Sequence, residues 1–238
     1  MGFVEKAEVF DDTFDCIVGL AFKKMAAKGT VPIMDNIIEE GVLMRNIFSF
    51  YLSQGDEDHD QGLKSKLVFG KIDQSDIVGQ ITWFDVIDKD FWALKLTDIL
   101  LDDVSLGLCD EEDCLITPDS GTSCITFPTW ARDKVKHLMP DEEPCESDTQ
   151  YKTLSFEILD VDGVKRRFSL ESERYIAISD ENKSQSTCTS VVAPLDIRQK
   201  GLQNLFILGD IFMTKFKCFF DRDTDQVGIA LAKHADAY

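Results

Sequence analysis

Short hydrophobic runs recur along the whole chain, and turn-forming residues separate them. The runs are rich in Val, Ile, Leu and Phe, whereas Gly, Asp and Asn stand between them. This spacing is typical of a mostly β protein with largely antiparallel strands and few short helices. The runs are FDCIVGLAF, IFSFYL, KLVFGKI, QITWFDVI, FWALKLTDILL, LSFEIL, RRFSL, RYIAI, LFILGDIFM, KCFFDRD and QVGIALAK.

Two stretches have the spacing of helices, residues 32–40 and residues 129–139. The first opens with Pro32, which suits the first turn of a helix. The second is expected to bury one face. The residues predicted on that face are Trp130, Val135 and Leu138.

Two connecting segments also follow from the pattern. Residues 54–66, QGDEDHDQGLKSK, combine glycine with charge and have no apolar periodicity, which predicts a linker or a long hairpin loop. Asp162 and Gly163 form an Asp-Gly signal between LSFEILDV and VKRRFSL. That arrangement predicts a β-hairpin.

Composition narrows the class of protein. With 238 residues, 44% hydrophobic and 29% charged, the chain can bury a sizeable core in one large domain or two small ones. Its net charge of −19 repels nucleic-acid phosphates and anionic membrane surfaces, so neither is an expected partner. Three acidic clusters, residues 56–60, 110–113 and 141–143, predict solvated loops. None has the ligand spacing of a calcium loop, and we predict no metal and no cofactor.

No apolar run is long enough to span a membrane, and the first residues lack the basic start and apolar core of a signal peptide. We therefore expect a mature product or a fragment. The seven cysteines include no CxxC pair and no Cys/His zinc spacing, which favours disulfides with leftover thiols over a metal. Disulfides point to an oxidising secretory compartment.

One short string carries candidate chemistry. Asp119 opens DSGTS, which lies between the apolar segments ITP and CITF. A carboxylate in such a place needs hydrogen-bond donors, and the hydroxyls of Ser120 and Thr122 can supply them. Taken alone, an Asp-Ser-Gly tripeptide is more typical of an ordinary turn than of a catalytic loop.

Motifs along nearly the whole chain resemble, in the same order, those of the pepsin-like aspartic endopeptidases. FDCIVGLA resembles the family's FDGILGLA segment, and FGKID resembles its FGGID. DSGTS resembles the second D-[ST]-G-[TS] loop, while LFILGDIF, FFD and VGIA resemble the C-terminal ILGDxF, F-D and VGLA elements. The DSGTSCITFP string and the closing GIALAK are especially similar to the plasmepsins of apicomplexan parasites.

The resemblance implies a bilobal β enzyme in which each lobe supplies one aspartate. Two close carboxylates cannot both ionise cheaply, so one acts as base toward a water while its protonated partner donates to the scissile carbonyl. By this comparison residues 1–66 are the end of the N-terminal lobe with the interlobe segment. Residues 67–238 are then the C-terminal lobe of the aspartic protease.

Carried onto this sequence, the resemblance makes Asp119 the catalytic aspartate of the second lobe. Ser120 would brace the two active-site loops, and Thr122 would orient the outer carboxylate oxygen. The implied substrate-binding positions are Gly121, Thr122, Ser123 and Ile207. The implied disulfides are Cys109–Cys114 and Cys145–Cys188. Three cysteines remain as free, mostly buried thiols: Cys16, Cys124 and Cys218.

The sequence departs from the family in three places. It contains one D-[ST]-G string, so the first aspartate is expected from a lobe upstream of these residues. Thr117 and Pro118 stand where relatives have Ile-Val, and proline removes an N–H next to Asp119. Cys16 replaces the glycine of FDG.

Three functions stay open at this point. The leading one is the C-terminal half of an aspartic endopeptidase that is inactive alone, acts on a peptide or protein substrate, and pairs with its own N-terminal lobe. The others are a non-catalytic peptide-binding relative and a retroviral-like homodimer. The expected location is the secretory pathway, an acidic vacuole or the extracellular space.

Overall fold

Strands dominate the computed structural model, which describes residues 16–139, 143–145, 151–179 and 186–235. The strands are β1 (Ile47–Tyr51), β2 (Lys66–Phe69), β3 (Ile77–Asp85), β4 (Leu94–Leu101), β5 (Val104–Ser105), β6 (Leu115–Pro118), β7 (Ile125–Phe127), β8 (Glu143–Pro144), β9 (Leu154–Leu159), β10 (Lys165–Leu170), β11 (Ile176–Ser179), β12 (Thr187–Ser190), β13 (Val192–Pro194), β14 (Leu205–Leu208), β15 (Phe216–Asp221) and β16 (Gln226–Ala232). The mostly β fold predicted from the hydrophobic runs is confirmed.

The helices of the described residues are all short, with at most eight residues each. They are α1 (Ile33–Glu40), α2 (Gly55–Asp60), α3 (Thr129–Val135), α4 (Ser172–Tyr175) and α5 (Asp210–Lys215), with 3₁₀ turns at Lys23–Met25 and Lys136–Leu138. In the described residues no helix is long and apolar enough to cross a membrane.

Both predicted helices form, with one correction. The helix expected at residues 32–40 is α1, which begins directly after Pro32 and ends at Glu40, with Gly41 as its C-cap. The second is α3, but the chain tightens into a 3₁₀ turn after Val135. Because a 3₁₀ turn has 3.0 residues instead of 3.6, Leu138 rotates off the buried face and is 42% exposed. The prediction that Leu138 is buried is wrong.

The predicted linker and the first acidic cluster also need correction. Residues 55–60 form α2 instead of an extended loop. The Asp58 carboxylate accepts the Gln54 N–H at 2.5 Å, which satisfies a main-chain donor at the start of this helix. Asp58 is fully buried, so the solvated loop predicted there is wrong for this residue. Residues 110–113 are exposed as expected, and residues 141–142 of the third cluster lie outside the described residues.

A five-stranded sheet has the order β2-β1-β15-β16-β3. It joins β1, from the N-terminal part of the chain, to the C-terminal strands β15 and β16. The proposed boundary at residue 66 coincides with the first residue of β2, and the division into lobes stays a prediction.

A larger sheet carries the candidate site. Its strand order is β10-β9-β4-β6-β14-β7-β13, with β5 paired to β4. A separate three-stranded sheet has the order β11-β12-β8. The hairpin predicted around Asp162 and Gly163 is present as β9 and β10. Most pairs are antiparallel, but β14 runs parallel to β6 and β13 runs parallel to β7.

Aromatic side chains pack where the N-terminal segment meets the sheets. The rings of Phe48 and Phe220 stack with their centroids 4.9 Å apart, and Trp92 packs edge-on to both. The Trp92 indole also donates a 3.2 Å hydrogen bond to the Leu20 carbonyl oxygen. This contact holds residues 16–21 beside the loop described next.

Candidate active site

The candidate site lies where β6 and β14 end and β7 begins. β14 lies between β6 and β7, and Leu208 at its end pairs with Pro118 at the end of β6. The connection from β6 to β7, residues 119–124, must therefore cross the end of β14. This crossing places Asp119 at the ends of these interior strands.

The Asp119 carboxylate is held by its own loop. Thr122 Oγ1 donates to Asp119 Oδ2 at 2.7 Å, and the Gly121 N–H donates to Asp119 Oδ1 at 3.0 Å. Each carboxylate oxygen thus accepts one hydrogen bond, while the side chain stays partly exposed. Two donors of this kind fix the orientation of the carboxylate.

Pro118 does not interrupt the strand pairing. Proline has no N–H to donate, but the Asp119 N–H donates to the Leu208 carbonyl oxygen at 3.0 Å. The pairing of β6 with β14 therefore continues through the residue after the proline, up to the carboxylate itself.

The two residues that follow β14 form main-chain hydrogen bonds to the loop of residues 119–124. The Gly209 N–H donates to the Cys124 carbonyl oxygen at 3.1 Å, and the Asp210 N–H donates to the Thr122 carbonyl oxygen at 2.8 Å. Thr122 therefore bonds Asp119 through its hydroxyl and the start of α5 through its carbonyl. The loop cannot shift without breaking contacts to α5.

A second carboxyl group lies close to Asp119. Burial raises the pKa of Asp210 above its ordinary value, and the negative charge of Asp119 raises it further. Sequence reasoning named Ile207 as a site residue but missed Asp210. Its position directly after Gly209 was the available signal.

A cavity of about 600 Å³ opens beside the loop. Asp119, Ser120 and Gly121 contribute its polar edge, and most of the remaining lining is apolar. The main apolar contributors are Ile17, Leu20, Phe48, Phe91, Trp92 and Pro118. The arrangement offers an oriented carboxylate at the edge of an apolar cleft, which suits a peptide with bulky apolar side chains.

The remaining predicted site residues divide into two groups. Thr122 contacts the Asp119 carboxylate directly, so the structure brings these two together. Ser123 is exposed on the same loop, and Ile207 is buried in β14, where it pairs with Thr117 and Thr126. Neither Ser123 nor Ile207 lines the cavity. Their substrate-binding roles stay predictions.

Both implied disulfides are present. Cys109 is bonded to Cys114 and Cys145 to Cys188. The three other cysteines are free thiols, as expected, but they differ in exposure. Cys218 is buried, which raises the pKa of its thiol. Cys16 is exposed and lines the cavity, so the expectation of mostly buried thiols is wrong for it.

This fold and this loop define the class of protein. A family model described as eukaryotic aspartyl protease matches residues 3–232, so the chain belongs to that family. It is 28% identical over 222 residues to pepsin A of Bos taurus, with 91% of this chain and 56% of that protein covered.

Two further relatives extend the comparison. Gastricsin of Callithrix jacchus is 31% identical over 228 residues, covering 92% of this chain and 55% of gastricsin. Aspartic protease 3 of Toxoplasma gondii is 34% identical over 232 residues, covering 94% of this chain and 34% of that protein. The chain thus spans about half the length of the pepsins and gastricsins that it matches.

Proposed function

We propose that this chain is the C-terminal half of an aspartic endopeptidase, and that Asp119 is one of its two catalytic carboxylates. The observation that carries the proposal is the Asp119 carboxylate, oriented by Thr122 and Gly121 and opening onto an apolar cavity. Membership of the eukaryotic aspartyl protease family supports the reaction class, hydrolysis of peptide bonds.

The proposed chemistry needs a second carboxylate opposite Asp119. With two close carboxyl groups, one ionises and the other keeps its proton, because a second negative charge nearby is unfavourable. The ionised group removes a proton from water as the water attacks the scissile carbonyl carbon. The protonated group donates to the carbonyl oxygen as negative charge develops there.

The second carboxylate is proposed to come from an upstream N-terminal lobe. The relatives are about twice as long as the matched region, which leaves room for such a lobe. Exposed apolar residues support its position, since seven of the sixteen exposed large hydrophobic residues among the described ones fall within residues 17–44. These are Ile17, Val18, Met25, Val31, Ile33, Val42 and Met44. Exposed apolar side chains concentrated in one segment are what a contact with a further lobe would cover.

Substrate and location follow from the same features. The apolar lining of the cavity favours peptides with bulky apolar residues beside the scissile bond. A dyad that shares a proton works at acidic pH, and two disulfides suit an oxidising compartment. We propose the secretory pathway, with an acidic vacuole or the extracellular space as the site of action.

The test compares the 238-residue chain with the same chain extended by its upstream lobe. Both are assayed on an apolar peptide at acidic pH, with and without a statine-type inhibitor. We expect cleavage only by the extended protein, and loss of cleavage in its Asp119→Asn variant. Asp113→Asn, which changes an exposed carboxylate paired with Lys95, is the matched control and should retain activity.

Other results would favour the alternatives. Activity of the 238-residue chain as a monomer would contradict the two-carboxylate mechanism. Activity that appears only with a dimer on size-exclusion chromatography would favour a retroviral-like pairing of two Asp119 residues. Inhibitor binding by the extended protein without any cleavage would favour a non-catalytic peptide-binding relative.

A further inference from the structure

A buried acid–base pair joins two distant parts of the chain. Asp58 Oδ2 lies 2.7 Å from His234 Nδ1, across 176 positions of sequence. The side chains are 0% and 3% exposed, respectively. Asp58 belongs to α2, and His234 follows β16, so the pair connects the segment after β1 to the C-terminal tail.

Both nitrogens of the His234 ring face hydrogen-bond acceptors. Nδ1 faces the Asp58 carboxylate, and Nε2 lies 2.6 Å from the Thr214 carbonyl oxygen. A neutral imidazole has one N–H and would leave a lone pair directed at an acceptor. The imidazolium form donates to both acceptors and also forms an ion pair with Asp58. The geometry therefore matches the protonated ring.

The second contact of His234 leads to the candidate active site. Thr214 lies in α5, and its hydroxyl donates to the Asp210 carbonyl oxygen at 2.7 Å. Asp210, at the start of α5, donates its N–H to Thr122, the residue whose hydroxyl holds Asp119. Four hydrogen bonds, joined through the covalent bonds of Thr214, Asp210 and Thr122, thus connect the ring of His234 to the Asp119 carboxylate.

We propose that the Asp58–His234 pair is a pH-dependent positioning element, which in its charged form holds α5 against the Asp119 loop and releases it as the histidine loses its proton. The effect on the loop stands on the geometry alone. Its consequence for catalysis rests on the function proposed above.

The groups around the pair do not neutralise the Asp58 carboxylate, so the imidazolium of His234 supplies the positive charge beside it. The Tyr51 ring stacks on His234 with centroids 5.8 Å apart, and the Tyr51 hydroxyl donates to the Lys233 carbonyl oxygen. The Lys66 ammonium lies over the Tyr51 ring, 5.7 Å from its centroid, but its ion pair is with Asp76.

Three other titratable groups on the packed elements contact different partners. On α2, His59 is exposed and contacts the Ser53 hydroxyl. On α5, Lys215 pairs with Glu171. Lys217 on β15 contacts Asp76.

The sign of the pH dependence follows from both partners. Burial raises the pKa of Asp58, but hydrogen bonds from Gln54, His234 and Ala235 outweigh it and hold the pKa below its ordinary value. A carboxyl group with a lowered pKa stabilises the fold above its unfolded pKa of about 3.9, and this contribution is lost as pH falls through the folded value. The contribution of the imidazolium requires a proton on each ring nitrogen of His234, so it is lost when the ring gives up one of them. The pair is therefore weakened both when Asp58 gains a proton and when His234 loses one.

The test needs no substrate. The chain has only three histidines, so ring ¹⁵N resonances of the labelled 238-residue chain can be assigned with single variants. His234→Gln identifies the resonances of His234, while His59→Gln and His137→Gln change exposed histidines and serve as matched controls. At pH 5.5 we expect both ring nitrogens of His234 to carry protons. One unprotonated ring nitrogen at that pH would overturn the proposal.

Coupling to the loop is measured on the same samples through the Asp210 amide. Its chemical shift should change with the midpoint of His234 titration. Its hydrogen exchange, corrected for the intrinsic effect of pH, should become about tenfold to a hundredfold faster above that midpoint, as expected for loss of a charged hydrogen bond. The wild-type titration decides the point even if His234→Gln does not fold.

The variants separate coupling from general stability. The step at the Asp210 amide should persist in His137→Gln and disappear in His234→Gln. If neither the chemical shift nor the hydrogen exchange of the Asp210 amide changes at the titration midpoint of His234, the proposed coupling is wrong. If the extended protein shows no peptidase activity while these steps are present, the proposed function fails and the positioning role stands.

Discussion

Gly209 lies against the main chain of Thr122 so closely that a Cβ atom on Gly209 would be 2.1 Å from the Thr122 carbonyl oxygen. The Cys124 carbonyl oxygen would be 2.2 Å from the same atom. The backbone of Gly209 has a negative φ of −80°, so other residues could adopt its conformation. Glycine is needed here because two backbone oxygens occupy the place of a side chain.

Gly209→Ala should therefore destabilise the protein by about 3 kcal/mol, the upper range for overpacking a rigid site. Urea unfolding followed by circular dichroism measures the loss. Gly19→Ala is the matched control, because nothing lies within 4 Å of its Cβ position and its change should stay within about 0.5 kcal/mol. Equal stability of the two variants would contradict the close contact.

Thr122→Val should impair catalysis in the two-lobe enzyme proposed above. Valine keeps the shape of threonine but removes the hydroxyl that donates to Asp119 Oδ2. Losing a hydrogen bond to a charged group costs about 1.5–3 kcal/mol, which corresponds to about a tenfold to hundredfold lower kcat/KM. Thr122→Ser keeps the donor and should stay near wild type. A fully active valine variant would show that this bond does not orient the carboxylate.

Local signals predicted much of the fold and of the site. Short hydrophobic runs between turn residues marked most strands. The Asp162–Gly163 turn marked the β9–β10 hairpin because its residue types suit a tight turn. The Asp119 loop was also identified, since the Thr122 hydroxyl that donates to the carboxylate lies three residues after Asp119. In these cases the sequence neighbours are also the structural partners.

Other features depend on partners far away in sequence. Asp58 was expected in a solvated loop because its neighbours are charged and nothing near it signals burial. It is buried because His234 and Ala235, 176 and 177 positions away, donate to its carboxylate. Asp210 was missed for the same reason, since its contact with the Asp119 loop arises only from the packing of β14 between β6 and β7.

Asp210→Asn should change how stability depends on pH. Burial and the charge of Asp119 raise the pKa of Asp210, so the folded state resists its ionisation. The stability of the wild-type protein relative to this variant is therefore greatest below the unfolded pKa and is lost as pH rises through the folded value. In thermal unfolding from pH 3 to pH 6.5, the melting temperature of the variant should rise relative to that of the wild type as pH increases.

Asp196→Asn is the control for this pH series because its sign is opposite. The Thr129 N–H donates to the Asp196 carboxylate at 2.9 Å, and this bond lowers the pKa of Asp196. The difference between wild type and this variant should be present near pH 6 and should vanish as pH falls. If the two variants follow the same pH trend, the assignment of the raised pKa to Asp210 is wrong.

The two disulfides should differ in their contribution to stability because they close loops of different length. Cys109 and Cys114 are separated by 5 positions, whereas Cys145 and Cys188 are separated by 43. If disulfides act by reducing the entropy of the unfolded chain, removing Cys109–Cys114 should lower the free energy of unfolding by about 2 kcal/mol, and removing Cys145–Cys188 by about 4 kcal/mol. Urea unfolding of the paired Cys→Ala variants measures both values, and each variant is the control for the other. An equal or reversed cost would show that native-state contacts at the short loop, next to β6 and Asp119, outweigh the entropy of the unfolded chain.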